Sequence, residues 1–240
     1  MSVADRPARP RQSRATEARE AVKSLILDRR LGVGDPLPTE SELMRELGIS
    51  RNSVREALKA LQAVGIVEIR HGFGMFVGPM SLGGLVDELA FHGRVTPADG
   101  GHHLTHLMQI REALESGLVM QLIDRRGDCD LASAVDVLAR MAEEAEVGTV
   151  SPETDRLFHD VLYAPLGNPL VGQLLGAFWD VYHQLRLDLG TPVEPPAEVV
   201  RRHRVIYDAV VAGDREAALT AIQAHFDGVR GRLARLRGGP

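Results

Sequence analysis

Cysteine is nearly absent from this sequence, with Cys129 alone in 240 residues. One thiol excludes an internal disulfide framework and any metal site built from several thiolates. Aromatic residues make up only 4% of the chain, so its cores must be filled by Leu, Val, Ile and Ala, a composition that suits packed helices. No run approaches the roughly 18–20 consecutive apolar residues that span a bilayer, and the opening "MSVADRPARPRQSRATEAR" lacks the apolar stretch of a secretory signal. A soluble, cytoplasmic protein without a membrane partner is expected. There is no internal repeat.

What is present points to two domains. A length of 240 residues exceeds the usual size of one domain, and a hydrophobic fraction of 44% is enough for real cores. The net charge of −5 hides an asymmetry: residues 1–77 hold 13 Lys and Arg against 10 Asp and Glu, a balance of +3, and the remainder holds 15 against 23, a balance of −8. The first part can meet a polyanion and the second would repel one.

Residues 1–14 are rich in Pro, Arg, Ser and Ala without periodicity and read as a flexible arm. From Thr16 to Leu31 the apolar residues Ala18, Val22, Leu25 and Ile26 recur at helical spacing, and "GVGDPLP" stops that helix. A short second helix follows in "TESELMRELG", where Thr39 and Glu42 form a capping box and Gly48 supplies the stop. The third starts from the N-cap Ser50 and lines up Val54, Ala57, Leu58, Leu61 and Val64 on one stripe. "IVEIRHGFGMFV" then shows two short β-branched and aromatic runs around a glycine-containing turn, the pattern of a hairpin. Three helices and a hairpin over residues 15–77 is the order of a winged helix-turn-helix. Residues 78–84, "GPMSLGG", read as a linker. Residues 85–236 carry helical patterns at about 85–94, 104–126, 131–146, 152–165, 169–189, 196–212 and 215–236, with start signals at Ser151, Asn168 and Asp214. The expected fold class is mainly α: a winged helix-turn-helix with a small β-hairpin wing, then an all-α bundle of six or seven helices.

A helix-turn-helix sets the start of its second helix against base edges in the major groove. Arg51, Asn52, Ser53 and Arg55 are the polar residues there: Arg pairs with guanine, Asn with adenine, and Ser or further Arg suit phosphate. Arg70, His71 and Gly72 stand at the wing tip, where a glycine lets backbone approach a minor groove. The stretch "PLPTESELMRELGISRNSVREALKALQAVGIVEIRHGFGMFV" resembles the N-terminal domain of the GntR transcription regulators over about residues 16–77. That resemblance implies DNA contacts from Arg51, Asn52, Ser53, Arg55, His71 and Gly72; Thr39, Ser41, Ser50 and Arg70 complete the candidate set. The family's usual basic residue after its Pro-Ser-Glu falls at Ser41 here, a departure that bears on operator preference.

In the helical part, "DRLFH" puts Asp155 and His159 on one face. With Asp155 at 0°, His159 lies at about 40°, Leu162 at about 340° and Phe158 at about 300°. A surface pair or a hydrogen-bonded core histidine would account for that pair alone. His203, among Val199, Ile206, Tyr207 and Val210, and His225, among Ala218, Ala221, Ile222, Val229 and Leu233, also face inward. Burying one Asp and three His without partners costs several kcal/mol, and a shared divalent ion removes that cost for all four. Three imidazoles and a carboxylate suit Zn²⁺ first, with Ni²⁺ or another transition metal as alternatives. The constellation resembles the FCD ligand-binding domain of the FadR-type branch of GntR regulators, whose metal-binding members carry an Asp-x-x-x-His pair and two later histidines. Arg111 shares a stripe with Leu104, Met108, Leu114 and Leu118; it reads either as a clamp for an effector carboxylate, which the resemblance also implies, or as the partner of Glu115. His102, His103 and His106 beside "ADGG" read as a solvated helix start rather than a second metal site.

The expected function is a non-enzymatic regulator, a repressor, that binds a palindromic operator in double-stranded DNA as a homodimer and responds to a small organic acid held at the metal. The alternative makes the metal itself the signal. A metal-dependent hydrolase fused to a DNA-binding module is the reading from another class; it requires a general base near metal-bound water, and no Glu sits in a motif for that role.

Overall fold

The computed structural model describes residues 14–95, 100–185 and 194–237. The chain forms two compact units, the first ending at Gly84 and the second beginning at Leu85. All but Arg14 of the arm expected over residues 1–14 lies outside the described residues, as does the end of the helix expected at 169–189.

In the first unit α1 (Arg14–Asp28), α2 (Glu40–Leu47) and α3 (Arg51–Ala63) precede the antiparallel strands β1 (Val67–Arg70) and β2 (Gly74–Val77), with Val67 opposite Val77 and Arg70 opposite Gly74. The capping box forms as expected: Thr39 Oγ1 accepts from the Glu42 N–H, and Glu42 Oε2 accepts from the Thr39 N–H at 2.8 Å. Gly48 ends α2 in the left-handed region at φ 64°, where a side chain would be strained. Ser50 then caps α3 by accepting from the Ser53 N–H. These two signals, two residues apart, make the short turn between α2 and α3. Val22, Leu25, Ile26, Leu43, Val54, Leu58, Leu61, Val67 and Val77 form the core, and each large aliphatic side chain buried there contributes roughly 1.5–3 kcal/mol. Val64 is a correction to the expected stripe. It is 63% exposed because α3 ends at Ala63, and Val64 occupies the C-cap.

The second unit contains, among the described residues, seven helices: α4 (Gly83–Val95, which starts at the boundary), α5 (Gly100–Arg125), α6 (Ala132–Glu146), α7 (Pro152–Tyr163), α8 (Pro169–Leu185), α9 (Pro196–Ala212) and α10 (Arg215–Arg237). The long α5 packs against α7, α8, α9 and α10, and α6 packs against α7 and α9. The start signals act as read: Ser151 accepts from the Thr154 N–H, Asn168 from the Leu170 N–H and Asp214 from the Ala217 N–H. One tertiary contact reinforces the start of α7. Glu144, at the end of α6, accepts from the Ser151 N–H at 2.7 Å and from the Thr154 hydroxyl at 2.7 Å. Burial raises the Glu144 carboxyl, but these bonds and those from Arg140 and the Ser151 hydroxyl outweigh it and hold its pKa at about 2. No helix of the described residues is long and apolar enough to cross a membrane.

Candidate nucleic-acid interface and candidate metal centre

The first unit presents the start of α3 and the hairpin tip to solvent. Ser41, Arg51, Asn52, His71 and Gly72 are exposed. The other five members of the expected set are occupied within the protein. Thr39 and Ser50 are the helix caps described above, Arg55 Nε donates to Glu40 Oε2 at 2.9 Å, and Ser53 shares a 2.9 Å hydroxyl contact with Ser50. Arg70 turns back along its strand, donating twice to Glu68 at 3.0 and 2.9 Å with its guanidinium 4.4 Å above the Phe76 ring. Arg51 and Asn52 are the first two residues of α3, whose opposite face is core.

In the second unit the histidines read from three separate segments come together. One ligand nitrogen each from His159 on α7, His203 on α9 and His225 on α10 lie within 4.8 Å of one another. The rings are 4.6–5.4 Å apart, centroid to centroid. Phe158 stands edge-on to both His159 and His203, and Phe226 to His225. His203 Nδ1–H donates to the Val199 carbonyl at 2.7 Å, which fixes the tautomer and leaves a lone pair on Nε2. Asp155 Oδ1 lies 3.1 Å from that Nε2. With the ring neutral, two acceptors face each other, an arrangement that a bound cation or a proton on Nε2 relieves. His159 Nε2 and His203 Nε2 are both buried without a hydrogen-bond partner. Burial, then the neighbouring His203 and His159, push the His225 pKa well below its ordinary value, so its ring stays neutral and able to ligate. The donor set therefore fits a divalent ion.

Two details differ from the expectation of four fully buried groups. The Asp155 side chain keeps 29% of its exposure, since it lies in the first turn of α7, and His225 is half-buried. The cluster is therefore not fully enclosed.

Arg111 is 6% exposed, and its Nε donates to Glu115 Oε1 at 2.7 Å. The ion pair weighed from sequence is therefore made, with the guanidinium 5.5 Å from the Phe226 ring centroid. Glu115 has a larger part than its sequence position suggested. Wholly buried, it also accepts from the Tyr163 hydroxyl at 3.2 Å, and its Oε2 stands 2.7 Å from His159 Nδ1, off the line of a ring N–H. Burial raises its carboxyl, but the charges of His159 and Arg111 outweigh that and hold it well below the usual carboxylate range. Burial, then Glu115, push the Tyr163 hydroxyl up. The signal for Glu115 was available: it lies one turn beyond Arg111 on the buried stripe of Leu104, Met108 and Leu118. Tyr163 bore no comparable signal. A cavity of about 610 Å³ opens beside the start of α8, with His159, Tyr163, Arg156, Asp160 and Gln173 in its wall. His103 is half-buried and His106 exposed, while the His102 side chain lies outside those described. Among the described residues no second group of three or more His, Cys, Asp or Glu converges as His159, His203 and His225 do.

Comparison with known proteins gives matches to both parts. Residues 14–77 match the model of the bacterial regulatory proteins, gntR family, and residues 106–228 match the FCD domain. The HTH-type transcriptional repressor NanR of Citrobacter rodentium is 30% identical over 236 residues, covering 95% of this chain and 88% of that protein. The HTH-type transcriptional regulator LutR of Bacillus subtilis is 26% identical over 215 residues, covering 88% and 96%. Among solved structures, Streptococcus agalactiae GntR has a TM-score of 0.61 at 22% identity, covering 90% of this chain and 99% of that one. That likeness is one of fold.

Proposed function

Because this chain belongs to the GntR family of bacterial DNA-binding transcription regulators, in the branch with a C-terminal FCD domain, we propose that it is a metabolite-responsive repressor. It binds a palindromic operator as a homodimer, with Arg51 and Asn52 reading base edges and Ser53, Arg55, His71 and Gly72 meeting the backbone and minor groove. One recognition helix spans only a few base pairs, so two half-sites related by a two-fold axis provide the required specificity. Repression is supported by the name of the NanR relative.

The effector half rests on one observation. Three histidine nitrogens converge within 4.8 Å, and one of those histidines also walls a cavity of about 610 Å³. His159, His203, His225 and Asp155 would hold a divalent ion, Zn²⁺ or a similar transition metal. A bound ion would supply open coordination positions for a carboxylate or hydroxyl oxygen. Arg111 would add to the hold on an acid by exchanging Glu115 for the effector's carboxylate. Effector occupancy changes operator affinity through the segment 78–84.

Mobility-shift titration of the full-length protein on its own upstream DNA tests this reading, run with chelator, with added Zn²⁺, and with hydroxy, sugar and dicarboxylic acids. A specific complex whose affinity changes with one acid, only in the presence of metal, is the expected result. Absence of any specific complex overturns the regulator reading. Affinity that follows free metal and ignores every acid makes the metal itself the signal.

A further inference from the structure

Phe73 at the wing tip is the most unusual side chain on the DNA-reading unit. It is 83% exposed, whereas Phe76, three residues on in β2, is half-buried beneath the Arg70 guanidinium. A lone exposed apolar residue is ordinary on a protein surface, so exposure alone decides nothing. Its setting is more informative. Phe73 lies in the turn between β1 and β2, its N–H bonded to the Arg70 carbonyl at 2.9 Å, with Gly72 (φ 80°) and Gly74 (φ 116°) on either side. No heavy atom comes within 4 Å of where a Cβ would stand on either glycine. The tip is therefore a narrow backbone loop carrying one large side chain. Arg70, the nearest cation, is tied back onto Glu68 by two hydrogen bonds, so the groups presented outward at the tip are His71 and an apolar ring.

On the reading of the first unit as the DNA-binding domain, we propose that Phe73 is an apolar wedge that enters the minor groove and partly unstacks a base step. The hairpin packs on α3 through β1. With the start of α3 in a major groove, the hairpin crosses the adjoining sugar-phosphate backbone. Strands of four residues project the tip by roughly 13 Å, enough to carry it from the backbone into the neighbouring minor groove. There Phe, Leu, Ile, Met or Pro side chains act as wedges that kink the duplex. The step that accepts the ring most readily is a flexible pyrimidine–purine step such as TA or CA/TG. Phe73 thereby determines specificity at base pairs that Arg51 and Asn52 do not touch.

The test uses full-length protein and duplexes selected by it from a randomised pool, with 2-aminopurine scanned through the flank of each half-site. Wild-type protein brightens the probe at one step and favours a pyrimidine–purine step there. Phe73→Ala binds about 10-fold more weakly, loses the brightening, and keeps the salt dependence of wild type because no phosphate contact is lost. Phe73→Leu retains most of both signals. Equal affinity and fluorescence for wild type and Phe73→Ala overturn the wedge but leave DNA binding intact, as does a weaker Phe73→Ala whose salt slope falls by about one. If wild-type protein enriches no duplex, the DNA-binding reading fails and the wedge fails with it. Matching circular dichroism of the variants excludes misfolding as the cause.

Discussion

At the scale of single residues, the histidines and the buried acid have separable roles. His203 has its Nδ1 committed to Val199 and its Nε2 facing Asp155, so its replacement removes a candidate ligand along with one bond inside α9 and the edge contact to Phe158. His203→Ala is expected to purify with metal content reduced from about one equivalent to a small fraction, by elemental analysis, with an unchanged helical spectrum. Metal retained at the wild-type level would remove His203 from the site. Glu115 acts differently. It is wholly buried and meets Arg111, Tyr163 and His159, and removing one member of a buried ion pair leaves the other charge uncompensated. Glu115→Gln is therefore expected to lower the stability of the chelator-treated second unit by about 3 kcal/mol in urea. A loss below about 1 kcal/mol would mean that solvent compensates Arg111.

Among the elements, α7 matters most because it carries Asp155 and His159 and its start is fastened to α6. Glu144 accepts from the Ser151 N–H and hydroxyl and from the Thr154 hydroxyl, immediately before Asp155. The pKa of Glu144 is about 2 in the folded protein, against an ordinary value of 4.5. A depressed carboxyl contributes stability that is full above the unfolded value and lost as pH falls through the folded one. The window is thus from about pH 4.5 down to about 2. Glu144→Gln should cost about 1–2 kcal/mol at neutral pH and flatten the acid dependence across that window. Denaturant titrations of both proteins at several pH values measure it, and parallel pH profiles would contradict this role. Elsewhere the caps were readable because they are local: Thr39 with Glu42, Ser50 with Ser53, and Ser151 with Thr154 each operate within four residues. The Glu144 contact spans separate helices and left no such signal.

For the whole molecule, two compact units with the candidate ligands confined to the second predict two responses to metal. Zn²⁺ at 100 times its Kd should stabilise the second unit by about 2.7 kcal/mol and leave the unfolding of the first unchanged. Calorimetry with and without chelator reads this directly; a shift of both transitions together would show that the units unfold as one. The sequence alone determined the winged helix-turn-helix, the helical second unit and the inward phase of His159, His203 and His225, because capping and the 3.6-residue period are properties of a short stretch of chain. It also put Arg111 on a buried stripe, from which an effector clamp and an ion pair with Glu115 were equally readable. Tertiary structure supplied the partners beyond the helix: Glu115, one turn from Arg111 on α5, also meets His159 and Tyr163 on α7, the last 48 residues away along the chain. It also left Asp155 partly open and Phe73 exposed beside His71 at the wing tip. Periodicity gives the direction of a side chain around its own helix, but the groups it meets depend on how helices distant in sequence pack, and that depends on the whole core.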